Sequence, residues 1–348
     1  MIPQAPPGSQ VPPSGRRHVL HLAVAGAMLL AALLVASKLA ALSRPAWPRQ
    51  PRAWVDLEEP EPVGEGPAAE HAGKLSLRLA IAPVIVSAKS LEGYWALLEH
   101  LAYRVGRTPV LLRGRGHTEI NELLRNGHCD VGLVCTYSLV RGEREFGLKA
   151  LAVPRIKGAI TYHSLILVNA ALPLPTPEPG ERRARASLLD LRGKRFASAD
   201  LFSTSGWLFP AVWLKEKGKD PGRNRFFGEH LITGSHDRAL QAVATGYVDA
   251  AAVSSLVYDE ITEAEPALAA KVKVILKSEP FGIPPVVVSP QSSAEERQAL
   301  LAALLGLHED PAGKQILAPL GIEQFVVPDA GLYDSVRKAV DQWESRKP

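Results

Sequence analysis

From Leu75 onward, short apolar runs alternate with stretches of helical spacing, and this alternation limits the possible folds more than any other feature of the chain. Leu75 to Pro83 alternates apolar residues as a strand does. Ser90 to Val105 places Leu91, Tyr94, Trp95, Leu98, Leu101 and Ala102 at helical spacing. Pro109 to Leu112 reads as a short strand, and Glu119 to Arg125 as a helix stopped by Asn126-Gly127. Asp130 to Cys135 is almost continuously apolar, as a strand covered on both faces is. Lys149–Pro154 and Ser164–Val168 are further strand-like runs. The scheme then repeats, with strands at Arg195–Ala199, Leu231–Thr233 and Val248–Val253 and helices at Gly206–Lys217 and His236–Thr245. Val272–Leu276 and Pro285–Val288 return toward the first half, and Ala294–Leu305, Gly313–Pro319 and Tyr333–Trp343 are helical. Such alternation predicts α/β architecture with mostly parallel sheets.

The first 73 residues lack this pattern. Residues 1–18 form a polar tail rich in Pro, Gly and Ser that ends in Arg16, Arg17 and His18. Val19 to Ser37 contains no Asp, Glu, Lys or Arg, and a helix of about 19 residues spans about 28 Å, close to the hydrocarbon thickness of a bilayer. Residues 19–42 are therefore expected to be a transmembrane signal anchor, or a signal peptide cleaved near Ala41-Leu42-Ser43. Both arginines precede the run, which keeps the N-terminus cytoplasmic and exports the rest. Residues 43–73 mix Pro45, Pro48, Pro51, Pro60, Pro62 and Pro67 with acidic residues, the composition of a semi-extended linker. Residues 74–348 remain for the folded unit.

Charge and cysteine content exclude several classes. The net charge of +4 in 348 residues offers no concentrated basic stripe for nucleic acid. Arg182, Arg183 and Arg185 cluster after Pro173, Pro175, Pro177 and Pro179, with no aromatic residue between them, and read as an exposed insertion near a lobe boundary. Two cysteines exclude a disulfide scaffold and a Cys-rich zinc module. Cys129 and Cys135 lie six residues apart along a strand, roughly 20 Å, too far for a bridge.

Two strand-to-helix junctions carry the chemistry. In Ser203-Thr204-Ser205-Gly206-Trp207 three hydroxyl residues meet unpaired backbone N–H groups at a helix start, where the helix dipole favours an anion. One hydroxyl suffices for a helix cap, which is the plainer reading of such a turn. Thr233-Gly234-Ser235-His236-Asp237 forms a second junction, with His236 able to donate from ring and backbone. No P-loop, Gly-x-Ser-x-Gly elbow, dinucleotide fingerprint or His-Glu-x-x-His occurs, and the histidines show no metal-ligand spacing. No cofactor is implied.

At these residues the chain resembles the phosphate/phosphite/phosphonate-binding proteins of ABC importers. Ser203-Thr204-Ser205-Gly206-Trp207 followed by Pro210 is similar to their Ser-Thr-Ser-Gly-aromatic turn, and Gly234-Ser235-His236-Asp237 with Gly246-Tyr247-Val248-Asp249 to their second signature. The resemblance runs roughly from Lys74 to Gly321. It implies a type 2 periplasmic-binding-protein fold, in which two α/β lobes close on a ligand cleft, with lobe 1 at about 74–168 plus 286–348 and lobe 2 at about 169–285. By resemblance, Ser203, Thr204, Ser205 and His236 hold an oxyanion, Tyr94 is an aromatic ligand contact, and an ABC permease is the partner. Relatives that bind aminoethylphosphonate carry acidic residues where Leu256 and the Ile283-Pro284 region stand here, which favours phosphate, phosphite or methylphosphonate. Cys135 also departs from the family, at a strand end where α/β clefts gather ligand. It is either a small buried hydrophobe or a soft ligand to arsenite, as in related binding proteins associated with sensors. Two other readings stay open: an oxyanion-sensing ectodomain that partners a membrane signalling kinase, and a bilobed periplasmic enzyme.

Overall fold

The computed structural model describes residues 76–81, 91–114, 116–174, 187–219, 221–222, 226–309 and 311–345. The expected tail, membrane segment and linker of residues 1–73 lie outside the described residues, as do residues 175–186 of the Pro/Arg insertion. Among the described residues no helix is long and apolar enough to cross a membrane.

The chain first lays down β1 (Ser76–Ile81), α1 (Leu91–Arg104), β2 (Thr108–Arg113), α2 (His117–Arg125), β3 (Val131–Leu133), α3 (Thr136–Phe146) and β4 (Lys149–Arg155). The two-residue strand β5 (Thr161–Tyr162) leads to β6 (Ser164–Asn169) and β7 (Arg195–Ser198). A turn of π-helix, Thr204–Leu208, continues as α4 (Phe209–Glu216). β8 (Glu229–Ile232), α5 (His236–Ala244), β9 (Ala250–Ser254), α6 (Ser255–Ala264), α7 (Pro266–Ala269) and β10 (Val272–Lys277) follow. The short β11 (Phe281–Gly282) precedes β12 (Val286–Val288), α8 (Ala294–Gly306), α9 (Pro311–Leu317), β13 (Gln324–Val326) and α10 (Asp334–Glu344).

These strands form two main sheets, each the centre of one lobe. The first has the order β13-β4-β12-β3-β1-β2 and the second β10-β6-β9-β7-β8. Both are covered on both faces because successive strand residues point to opposite sides. In β1, Leu77, Leu79 and Ile81 pack against Leu97, Leu98 and Leu101 of α1 and Leu300 and Leu304 of α8. Ala80 points the other way, to Ile120 and Leu124 of α2. In β6, Leu165 and Leu167 meet Leu240 and Val243 of α5, while Ile166 and Val168 join Phe196, Leu214 and Phe226 on the opposite face.

The sheets are mixed, which corrects the expectation of mostly parallel sheets: among the described residues four strand pairs are parallel and six antiparallel. The chain crosses between lobes twice, so the strands that follow a crossing enter their sheet in the reverse direction. The crossings pair with each other as β5 and β11, through Tyr162 with Phe281 and Thr161 with Gly282. β6, whose residues 164–168 were expected to close lobe 1, is a strand of the second sheet. The helix α3 was also not expected. Its apolar residues Tyr137, Leu139 and Val140 alternate with charges too sparsely to announce a helix next to the strand-like run that ends at Cys135.

Candidate functional site

The serine-rich turn leaves β7 at Ser198 and enters the π-helical turn with Ser203 as its N-cap. Gly206 N–H donates to Ser203 Oγ at 3.0 Å. That oxygen therefore serves the cap as an acceptor, and the Ser203 hydroxyl hydrogen stays available to a ligand. A Cβ at 206 would lie 3.0 Å from Ser203 Oγ and 3.3 Å from Ala199 N, so a side chain there would push on the cap.

His236 is the first residue of α5 and turns back to this cap. Its Nε2 lies 3.4 Å from Ser203 Oγ and 3.5 Å from Ser205 Oγ. Its Nδ1 accepts from Ser254 N–H at 3.3 Å, so the proton of the neutral ring sits on Nε2 and faces the two hydroxyls. Burial lowers the His236 pKa to about 4, with the neighbouring His117 acting in the same direction. The ring is thus a neutral donor near pH 7. Two hydroxyls and one imidazole N–H converge within 3.5 Å at two helix starts, in a site with 6% or less exposure at each residue. Such an arrangement presents dipoles rather than full charges, a kind of donor set that suits an anion.

Thr204 is used differently. Its Oγ1 lies 2.8 Å from Thr136 Oγ1 and accepts from Tyr137 N–H at 2.8 Å, so it joins lobe 2 to the start of α3 in lobe 1. Cys135, the N-cap of α3, makes a second contact between lobes, with Sγ 2.8 Å from Phe202 O. A third close approach is at Gly116, where a Cβ would lie 2.8 Å from Asp200 Oδ2. Tyr162 on the crossing strand is buried beside Ser205, Thr204 and Thr136, and burial raises its pKa.

His117 was missed in the sequence. It opens α2, is fully buried, and neither ring nitrogen has an aligned hydrogen-bond partner. Cys135, Asp200 and His236 lie close enough to it to act on each other's charge. Burial opposes charge on this ring, but the Cys135 sulfur outweighs it and holds the His117 pKa above its usual value. Burial likewise opposes the Cys135 thiolate, and His117 with Ser138 outweighs it, lowering the thiol pKa. The sequence holds one weak signal for His117: like His236, it stands at a helix start directly after a glycine-containing turn.

Of the residues expected in the site, Ser203, Ser205 and His236 come together, and Thr204 and Cys135 lie at the contact between lobes. Tyr94 is set apart. It packs half-buried against the lobe 1 core, its pKa raised to about 12 by burial and by Glu260. Among the described residues no contact links it to the Ser203–His236 cluster. Leu256 and Ile283 belong to an apolar cluster with Cys135, Tyr137, Tyr162 and Phe281, which leaves one side of the site without an acidic group from those two positions. Among the described residues no three His, Cys, Asp or Glu side chains are arranged to hold a metal ion.

The family model for the periplasmic substrate-binding protein of phosphonate ABC transporters matches residues 79–333. The chain belongs to this family. It is thus a periplasmic substrate-binding component of the phosphonate ABC transporter type, works with a permease, and is not an enzyme. Solved structures share the two-lobed periplasmic binding protein fold. A binding-protein component of an ABC phosphonate transporter from Pseudomonas aeruginosa superposes with a TM-score of 0.66 at 21% identity, covering 77% of this chain and 86% of that one. PhnD1 from Prochlorococcus marinus, in complex with methylphosphonate, gives 0.65 at 18% identity over 76% of this chain and 96% of that one. A Xanthomonas citri protein bound to chloride ion gives 0.61 at 22% identity over 77% and 96%. At these identities the likeness is one of fold.

Proposed function

We propose that this binding protein captures a small tetrahedral oxyanion, methylphosphonate or phosphate or phosphite, between its lobes. The observation that carries the reading is the convergence of Ser203 Oγ, Ser205 Oγ and a neutral His236 Nε2–H within 3.5 Å. The three donors match the oxygens of a phosphonate head, and His117 supplies a fourth from lobe 1. The apolar cluster around Leu256, Ile283 and Phe281 suits a short alkyl group and offers nothing to an ammonium group. The methylphosphonate complex of the similarly folded Prochlorococcus protein is compatible with that choice. Closing the lobes forms the Thr204–Thr136 and Cys135–Phe202 contacts, and a permease would read the closed form. Residues 19–42 would anchor the protein in the cytoplasmic membrane, residues 43–73 would space it from the surface, and residues 74–348 would form the binding unit on the periplasmic side.

The test is a thermal-shift screen of the purified protein against phosphate, phosphite, methylphosphonate, aminoethylphosphonate and arsenite. Stabilisation by one or more of the first three, without stabilisation by aminoethylphosphonate, is expected. A preference for aminoethylphosphonate, or no response to any oxyanion, would overturn the reading. A response to arsenite alone, lost in Cys135→Ser, would point to the sensing role instead.

A further inference from the structure

The turn that carries Ser203 and Ser205 leaves one buried carbonyl unmet by its own helix. Thr204–Leu208 is a turn of π-helix, in which a carbonyl accepts from the N–H five residues on. Ser203 O takes both Trp207 N–H and Leu208 N–H at 3.0 Å, so the turn starts between the α and π registers. Thr204 O takes Phe209 N–H. The next carbonyl, Ser205 O, would take the N–H of residue 210, but that residue is proline and has none. Its partner comes from the far side of the lobe: Ser164 Oγ donates to Ser205 O at 2.6 Å. Both residues are buried, so the bond is closed to solvent.

Ser164 is itself held at the two crossings between the lobes. It opens β6 just past β5, and its N–H donates to Ser278 Oγ at 2.8 Å. Ser278 follows β10 just before β11. Its N–H donates to Ser164 O at 2.9 Å, and its hydroxyl donates to Glu279 O at 2.6 Å. Beside Ser164, His163 N–H donates to Ser255 Oγ at 3.0 Å and Ser255 N–H donates to His163 O at 2.9 Å. The preceding residue, Ser254, is the donor to His236 Nδ1. One crossing segment therefore steadies Ser205 through Ser164, and His236 through the start of α6. Without the Ser164 hydroxyl, the N–H left to meet Ser205 O is that of Phe209, four residues on, which is the α register. That shift would take the turn out of the geometry that sets Ser203 Oγ and Ser205 Oγ within 3.5 Å of His236 Nε2.

We propose that Ser164 is a positioning residue for the oxyanion site: its hydroxyl holds the Ser203–Ser205 turn in the π register by taking the carbonyl that Pro210 leaves open. It acts through Ser205 rather than on the ligand. This rests on the oxyanion reading of the site and adds the residue that sets where the donors stand.

Calorimetry on the full chain with methylphosphonate and with inorganic phosphate tests it, in the wild type, Ser164→Ala, Pro210→Ala and the double variant. Pro210→Ala returns an N–H where the π register needs one. Ser164→Ala should bind the better probe about tenfold more weakly, and the double variant should return to within about threefold of the wild type. A merely structural role would give no such rescue. Ser289→Ala serves as a control, because it removes a buried hydroxyl that donates to Leu124 O at 3.1 Å within lobe 1. It should lower the melting temperature and leave affinity unchanged. Unchanged affinity in Ser164→Ala, a loss that the double variant does not recover, or an equal loss in Ser289→Ala would overturn the proposal while leaving the oxyanion site standing. If Ser164→Ala alone does not fold, the double variant decides: affinity near the wild type supports the proposal and a tenfold loss overturns it. If neither probe binds the wild type, the oxyanion reading fails, and the positioning role that depends on it fails with it.

Discussion

In the proposed site, His236 would hold the anion without carrying charge. Ser254 N–H occupies its Nδ1, which leaves Nε2–H for the ligand, and burial keeps the ring neutral. Replacing it with Gln keeps a donor but moves it, and affinity for the preferred oxyanion should fall about tenfold, the worth of one hydrogen bond of about 1.4 kcal/mol. Calorimetry reads this directly, and an unchanged affinity would remove His236 from the site. The neutral state also has a cost in acid. The pKa values of His236 and His230 are both lowered to about 4 by burial, whereas the unfolded chain takes up these protons near pH 6.5. Below that value the unfolded state binds more protons, so stability should fall as the pH drops from about 6.5 to 4, by up to about 3 kcal/mol per ring. Melting temperature against pH measures it. His230→Gln should flatten that slope, and an unchanged slope would contradict a neutral buried ring. At this scale the sequence was legible wherever the candidate site is built from local turns. Ser203, Ser205 and His236 stand at junctions that announce themselves by spacing. His117 and Tyr162 do not, because their roles arise from contacts with Cys135, Thr204 and Ser205 that are distant in sequence.

Among the described elements, α10 makes side-chain contacts to both lobes. On lobe 1, Arg337 makes a bidentate pair with Glu143 of α3 at 2.7 and 2.9 Å, and Arg144 reaches Asp341 at 2.7 Å. On lobe 2, Lys215 donates to Trp343 O at 2.8 Å, Gln342 donates to Glu216 at 3.0 Å, and Trp343 stands edge-on to Trp207 at 6.2 Å. α10 therefore straps the lobes in the state seen here. Arg337→Ala removes a half-buried forked pair, and the expected cost is about 1 kcal/mol in denaturant unfolding. It should also speed release of the bound oxyanion, since the strap holds the closed form. Unchanged stability and release would show that the strap carries no weight. The sequence announced Tyr333–Trp343 as a helix, with charges on its outer face. It could not show that those charges pair with α3, nor that Gln342 and Trp343 reach α4, because the partners lie more than 100 residues away. α3 itself escaped for a different reason: the apolar run from Val131 absorbed Cys135, and the helix start at Thr136 carries no side-chain cap.

For the whole molecule, the alternation of strand and helix predicted α/β layers correctly but not the mixed direction of the strands. Strand direction depends on where the chain crosses between lobes, and the crossings β5 and β11 are only two residues each. The lobes meet through Thr204 with Thr136 and Tyr137, and through Cys135 with Phe202, next to the turn proposed to capture the ligand. Thr204→Val keeps the shape but removes both hydroxyl contacts across the cleft. It should weaken ligand binding about tenfold by favouring the open form, visible as a larger radius of gyration in solution scattering with ligand present. A radius equal to that of the liganded wild type would assign Thr204 no part in closure. The most direct measurement is calorimetric titration of the best-bound oxyanion among phosphate, phosphite and methylphosphonate into the wild type and the Ser203→Ala/Ser205→Ala variant. Loss of about 100-fold in affinity, with the melting temperature of the free protein retained, is the predicted result. Equal affinity in the two proteins would place the ligand elsewhere and contradict capture by the hydroxyl turn.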